Sequence, residues 1–231
     1  MVAHATGKPG PRISLKTFVV LILHMKEKYN INHTTLRILA LFSNDYRKKI
    51  HLREISRDIN IDVKAVGLQV NRLDKANVLS SSRRGRNKEY QLNLSNMATR
   101  SYMLLAEVFT TIRYLGDNYL IKKLATEIED EVEAPIILFG SHARGEATED
   151  SDIDLFIIAE QDIDEEGVIE VGKLIGREVN INSASKHQFL MGLKDNDPLI
   201  GEVVSNHIVI KGAEELVEIM WRYHGEHRSL S

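Results

Sequence analysis

Gly140-Ser141-His142-Ala143-Arg144-Gly145, followed at 151–155 by Ser151-Asp152-Ile153-Asp154-Leu155, is the stretch on which the reading of this chain turns. An apolar run, Ile136 to Phe139, leads into Gly140-Ser141. A strand is therefore expected to end in a Gly-Ser turn at the start of a short helix, with Gly145 at its end. There the backbone N–H groups and the Ser141 hydroxyl can cradle a phosphate. Glycine is needed at 140 because a side chain would block close approach. Asp152 and Asp154 are two residues apart, a spacing that on a strand puts both carboxylates on one face. Two hard oxygen ligands suit Mg2+, which is commonly held by one or two carboxylates together with substrate phosphates. A phosphate cradle joined by a short spacer to a paired-aspartate strand is equipment for phosphoryl transfer. The plainer reading, a glycine turn beside an acidic loop, does not account for the order and spacing of the two halves.

Around this stretch the pattern is that of alternating strands and helices. Short apolar runs at Pro135–Phe139, Ile153–Ile158, Val179–Ile181 and His207–Ile210 are separated by helical periodicity, which argues an α/β or α+β domain. Gly-Ser-x-Ala-Arg-Gly, a short spacer and Ser-Asp-Ile-Asp-Leu together resemble the nucleotidyltransferase superfamily typified by DNA polymerase β, in its minimal form. The resemblance extends over roughly the last hundred residues. It implies binding of a nucleoside triphosphate with Mg2+ and transfer of a nucleoside monophosphate to an acceptor. Gly140 and Ser141 match the family's phosphate-binding pair, Asp152 and Asp154 its metal-binding pair, and Arg144 and Gly145 the end of its motif. Arg144 thereby becomes a nucleotide-binding candidate, with a structural role as its alternative. The family's third carboxylate sits on a later strand between apolar residues, and here Asn180 of Glu178-Val179-Asn180-Ile181-Asn182 stands in that place. An amide can offer a neutral oxygen to a metal but cannot take a proton from an attacking hydroxyl. Alternation puts Glu178 and Asn180 on one face, so Glu178 can replace the missing acid from a displaced position.

The preceding region is of opposite charge. Between Asn44 and Asn93 there are twelve Lys or Arg and six Asp or Glu, whereas between Thr126 and Glu170 there are sixteen acids and only Arg144 as a base. A basic region calls for a polyanion and an acidic one for cations. Two short helices are expected at Leu52–Ile59 and Val63–Ala76, separated by Asn60-Ile61-Asp62, with Asp62 as the cap of the second. Ile55, Ile59, Ile61, Val66, Val70 and Leu73 recur at helical spacing and would pack the two together. A hairpin with Gly85 at its tip follows, Val78–Ser82 pairing with Lys88–Leu94. This order resembles the winged helix-turn-helix domain of bacterial and archaeal regulators. Double-stranded DNA is the partner it implies, the second helix entering the major groove. Lys64, Leu68, Asn71 and Lys75 fall opposite the packed stripe, and Arg83, Arg84, Arg86 and Lys88 at the wing would meet phosphates or the minor groove. Gly67 and Leu68 stand where base-reading residues are usual, so a protein-binding module is the alternative.

The expected fold class is α+β. Residues 1–30 read as an arm and a helix, 31–93 as the winged helix, 94–132 as a helical connector broken near Gly116-Asp117-Asn118, and 133–231 as the transferase-like domain. Phe18, Leu21, Ile22 and Met25 form an apolar stripe on the first helix, and with the long connector helices they suggest a homodimer. The chain has 231 residues and no cysteine, which excludes disulfides and thiolate metal sites and suits a reducing, cytoplasmic setting. Its longest apolar run, Phe18 to Leu23, is far short of the roughly 20 residues a bilayer span needs. His224 and His227 near the end read as a solvated tail, and Met220 and Trp221 as core. Two functions remain open: a DNA-binding nucleotidyltransferase, or a transcription regulator whose degenerate transferase domain senses a nucleotide.

Overall fold

The computed structural model describes residues 31–84, 87–129, 131–161 and 163–226. Thr34–Ser231 form one compact unit, and of the other, Met1–His33, only residues 31–33 are described. The arm, the first helix with its Phe18–Met25 stripe, Gly85, Arg86 and His227 lie outside the described residues.

The basic region folds as α1 (His33–Ala40), β1 (Ile50–His51), α2 (Leu52–Asp58), α3 (Val63–Lys75), β2 (Leu79–Arg84) and β3 (Asn87–Leu92). Asp62 caps α3 by accepting from the Lys64 and Ala65 N–H groups. Asn60 turns the chain between α2 and α3 in the left-handed conformation, φ +50°. Ile55, Ile59, Val66, Val70 and Leu73 are buried, as their spacing requires, and Ile61 is half-buried. The wing pairs from Leu79 opposite Leu92 to Arg84 opposite Asn87. β1 adds to it by setting Ile50 against Tyr90, a strand too short to show alternation in sequence.

α4 (Met97–Asp117), capped by Asn96, follows the wing. It ends at Asn118, whose amide donates to the Tyr114 carbonyl (2.7 Å), and α5 (Tyr119–Ile128) takes over. The break falls where Gly116-Asp117-Asn118 places it.

The rest of the chain runs β4 (Ile136–Phe139), α6 (Gly140–Arg144), β5 (Ile153–Ile158), α7 (Glu165–Leu174), β6 (Val179–Ala184), α8 (Lys186–Asp195), α9 (Pro198–Ser205), β7 (Ile208–Lys211) and α10 (Ala213–Glu226). The sheet order is β6-β5-β4-β7, with β5 and β6 parallel and the other pairs antiparallel. The fold is α+β with a mixed sheet. Ile153, Leu155 and Ile157 alternate onto one face and pack with Ile121, Leu124 and Ile128 of α5 and Val168 of α7. Asp154, Phe156 and Ile158 take the other face, where Phe156 meets Phe189 of α8 edge-on at 5.3 Å.

α4 fastens the basic part to the acidic part. Arg100 pairs with Glu218 of α10 at 2.9 Å, and the Thr111 hydroxyl donates to the Val209 carbonyl of β7 (2.8 Å). The turn after α1 supplies a second fastening, and it corrects the reading of His224. α10 continues to Glu226 and carries His224, 7% exposed, onto the Tyr46 ring in a stack of 5.5 Å. The Arg47 Nε donates to the His224 carbonyl at 3.1 Å. His224 is buried because its helix outlasts the expected tail and finds an aromatic partner. Met220 is buried as expected, and Trp221 is half-buried against Tyr46.

Candidate active site

Three neighbouring strands bring the expected site residues into one row. The register sets Phe139 opposite Asp154 and Asp154 beside Asn180, so the Gly140 turn, the Asp154 carboxylate and the Asn180 amide adjoin. Gly140 adopts φ +67°, a conformation that favours glycine. A Cβ there would lie 2.2 Å from Asp154 Oδ2, inside any tolerable contact. The glycine is thus dictated by the carboxylate as well as by the turn. Asn180 Nδ2 donates to Asp154 Oδ1 at 3.2 Å. The residue standing at the third-acid position is therefore a hydrogen-bond donor to the second acid and fixes the direction of its carboxylate.

Asp152 is exposed one residue ahead of β5, and Glu178 is exposed one residue ahead of β6. The Ile153 N–H donates to the Glu178 carbonyl (2.9 Å), which sets these two acids at the same end of the sheet. The loop leading to Asp152 is closed by Ser151, whose hydroxyl accepts from the Thr148 N–H at 2.8 Å.

The helix α6 is held at both ends and along its side. Gly145, φ +71°, closes it in the left-handed cap conformation. The Tyr114 hydroxyl, from α4, donates to the His142 carbonyl at 3.0 Å, and burial pushes the Tyr114 pKa up to about 12. Tyr114 thus stays a neutral donor. The His142 ring is buried, and its Nε2 makes no hydrogen bond. Arg144 pairs with Glu146 (2.8 Å) and with Glu202 of α9 (2.7 Å), contacts that raise its pKa. In this arrangement Arg144 ties α6 to α9.

The donor set fits a magnesium ion that completes its shell with phosphates. Among the described residues no three His, Asp or Glu side chains gather as a closed metal site. Asp152 and Asp154 offer hard oxygens, and Gly140 leaves room against Asp154 that any side chain would fill.

On the basic part, Lys64, Asn71 and Arg83 are exposed, and Leu68 of the same α3 face is 52% exposed. Lys88 is engaged by its own domain: it donates to Asp74 at 3.0 Å, which raises its pKa, and lies over the Tyr90 ring. Arg84 ends β2, with its side chain, like Arg86, outside the described residues.

Sequence reasoning missed Tyr114, Glu202 and a buried pair, Glu107 of α4 with His207, at 3.3 Å. Burial acts to lower the His207 pKa. The Glu107 charge and the Val204 carbonyl outweigh it, so the net direction is up. The signal was present for one of these: Glu107 falls on the face of α4 that buries Tyr102, Met103 and Ala106.

Residues 121–208 match the family described as "Nucleotidyltransferase domain". The chain therefore carries such a domain, which supports nucleotidyl transfer in general with a nucleotide as substrate. No curated protein matches the chain. Among solved structures, the chain is similar to an adhesin competence repressor (AdcR) from Streptococcus pyogenes at 19% identity and TM-score 0.29. That match covers 52% of this chain and 95% of that one. A toxin–antitoxin structure with AMP-PNP matches at 20% identity and TM-score 0.32, over 48% of this chain and 87% of that one. Human N-acetylserotonin methyltransferase (ASMT) in complex with SAM matches at 9% and 0.28, over 79% and 68%. No helix among the described residues is long and apolar enough to cross a membrane.

Proposed function

We propose that the protein is a DNA-binding nucleotidyltransferase that moves a nucleoside monophosphate from a nucleoside triphosphate to an acceptor hydroxyl, with Mg2+ as cofactor. The observation that carries this reading is the fit of Gly140 against Asp154, in the segment that matches the transferase family. Asp152 and Asp154 would hold the ion, which when bound draws charge off the triphosphate as the α-phosphorus is attacked. Gly140 and Ser141 bind and orient the triphosphate through backbone N–H groups and the hydroxyl. Asn180 orients the Asp154 carboxylate through its amide, and Glu178 takes the acceptor's proton. Arg144 acts as a positioning residue through Glu202.

The exposed cations of α3 and the wing support duplex DNA as the partner of the basic part. A two-fold working unit suits paired half-sites on DNA, and the exposed Val108 and Ile112 of α4 offer apolar surface to a second copy. Light scattering that shows only the 26 kDa species at micromolar concentration would count against the dimer.

The test is to incubate the protein with each α-labelled nucleoside triphosphate and Mg2+ and look for label on protein or nucleic acid. Transfer should require the ion and vanish in the doubly substituted protein, Asp152→Asn with Asp154→Asn. Calorimetry that finds equal triphosphate binding with and without Mg2+ would overturn the reading.

A further inference from the structure

The strand that carries Asn180 is at the edge of its sheet. Among the described residues β6 pairs with β5 alone. Which of its backbone groups are committed follows from the ladder. The Glu178 carbonyl accepts from the Ile153 N–H, and the Ala184 carbonyl from the Ala159 N–H. Even-numbered residues of β6 therefore turn their peptide groups toward β5, and Val179, Ile181 and Ser183 turn theirs outward. A six-residue edge is normally blunted by a charge, a proline or a bulge. Val179-Asn180-Ile181-Asn182-Ser183-Ala184 has no charge and no proline, and its pairing with β5 runs without a register shift.

We propose that this edge receives the acceptor: an extended, basic polypeptide segment adds to β6 as a fifth strand and presents a side-chain hydroxyl to the site. The acceptor is thus a protein, a conclusion that rests on the transferase reading above. Main-chain hydrogen bonds to Val179, Ile181 and Ser183 give such a segment its affinity, and alternate side chains face Asn180 and Glu178. The added strand lies two strand spacings, about 9.6 Å, from Asp154. A hydroxyl-bearing side chain on the new strand and a phosphate held at Asp154 together span that gap.

The charge of the surroundings selects the occupant. Asp152, Asp154 and Glu160 flank or sit on β5, and Arg177 and Lys186 are the bases at the ends of β6. With Glu178 the acids number four against these two bases, and Glu165, Glu166 and Glu170 of α7 add to the acidic side. A segment carrying Lys or Arg is attracted there, and a second copy of the same acidic surface is repelled. In the step itself, the acceptor oxygen bonds to the α-phosphorus. The bond from that phosphorus to the bridging oxygen breaks, pyrophosphate leaves with the bonding electrons, and the hydroxyl proton passes to the Glu178 carboxylate.

The test uses the full chain and a pool of seven-residue peptides. Each peptide has Lys at both ends and a central Ser, Thr or Tyr, and the remaining positions are randomised. Amide hydrogen exchange is followed by NMR, and label transfer from the four α-labelled nucleoside triphosphates with Mg2+ is counted on the peptides. In the free chain the Val179, Ile181 and Ser183 amides should exchange at least about tenfold faster than those of Asn180 and Asn182. The pool should slow these three and become labelled. Ser183→Pro removes one outward N–H at an exposed position without costing a bond to β5. It should lower peptide labelling at least about tenfold, with triphosphate binding within a factor of about two. Peptides methylated on alternate backbone nitrogens should fail in the same way. Three odd-numbered amides already protected in the free chain would overturn strand addition. So would peptide labelling indifferent to Ser183→Pro and to N-methylation. Protection that rises with protein concentration alone would assign the edge to a second copy instead. Loss of triphosphate binding in the unaltered protein would sink the transferase reading itself, whereas normal binding without peptide protection would sink strand addition alone.

Discussion

The basic part and the transferase domain hold their candidate side chains in opposite ways. Lys64, Asn71 and Arg83 stand in solvent on an α3 face and a wing whose other sides are packed. Gly140, Asp154 and Asn180 sit in a row where one added methyl would collide with a carboxylate. The difference suits the partners proposed for each part. Phosphates along a duplex are met by mobile cations, and the affinity comes from released counterions, so little fixed geometry is needed. A reacting phosphorus is met by groups whose directions are set before substrate arrives, because reorganisation during the reaction would cost rate. Lys88 marks the boundary between the two habits: it belongs to the wing, yet it is tied to Asp74.

This contrast can be broken by substitution, and the largest effect belongs to the ordered side. Glu178→Gln should lower transfer by about 10²–10⁴-fold, the usual range for removal of a general base, and leave duplex affinity unchanged in fluorescence anisotropy. Asn180→Asp exchanges a donor to Asp154 for a like charge and should not raise turnover. A turnover gain in Asn180→Asp would return the proton to position 180.

On the solvated side, replacing Arg83, Arg84 and Arg86 by Ala should flatten the slope of log K against log salt by about 0.9 for each phosphate no longer neutralised. Triphosphate binding should not move. An unchanged slope would put the DNA surface elsewhere.

Next in size is a pair of stability measurements. Gly140→Ala combines a φ of +67° with a clash at Asp154 and should cost about 1–3 kcal/mol in urea unfolding. Leu68→Ala, on the exposed face of α3, should stay within about 0.5 kcal/mol. Equal costs would erase the distinction between the two parts.

The smallest effect is that of pH on the buried His207–Glu107 pair. The folded His207 pKa lies above its ordinary 6.5. Its contribution to stability is therefore full below pH 6.5 and is lost as pH rises through the folded value. Melting temperature followed from pH 6 upward should fall over that interval, and Glu107→Gln should remove the slope.

What the sequence made legible was what lies close along the chain. Asp62 caps α3 because its carboxylate meets N–H groups two and three residues on, and the Val66–Val70–Leu73 stripe follows from helical geometry alone. The paired aspartates and the glycine turn were visible because the chemistry fixes their spacing. What remained hidden depends on distant segments meeting. Nothing near Arg144 announces Glu202 as its partner, and Tyr114 reaches the His142 carbonyl from 28 residues away. β1 is two residues long, below any periodic signal. His224 read as a tail because its partner, Tyr46, lies 178 residues earlier.

α4 has one end where the wing finishes, at the Asn96 cap, and carries Tyr114 near the other, against the carbonyl of α6. At about 1.5 Å per residue its 21 residues make a strut of about 31 Å. Such a strut joins the two proposed sites, and any linkage between them is reciprocal. If occupancy of the duplex site changes triphosphate affinity by some ratio, triphosphate must change duplex affinity by that same ratio. Anyone who measures either influence has measured both, and Tyr114→Phe, which removes the hydrogen bond from α4 to α6, should bring the ratio toward one in both directions at once.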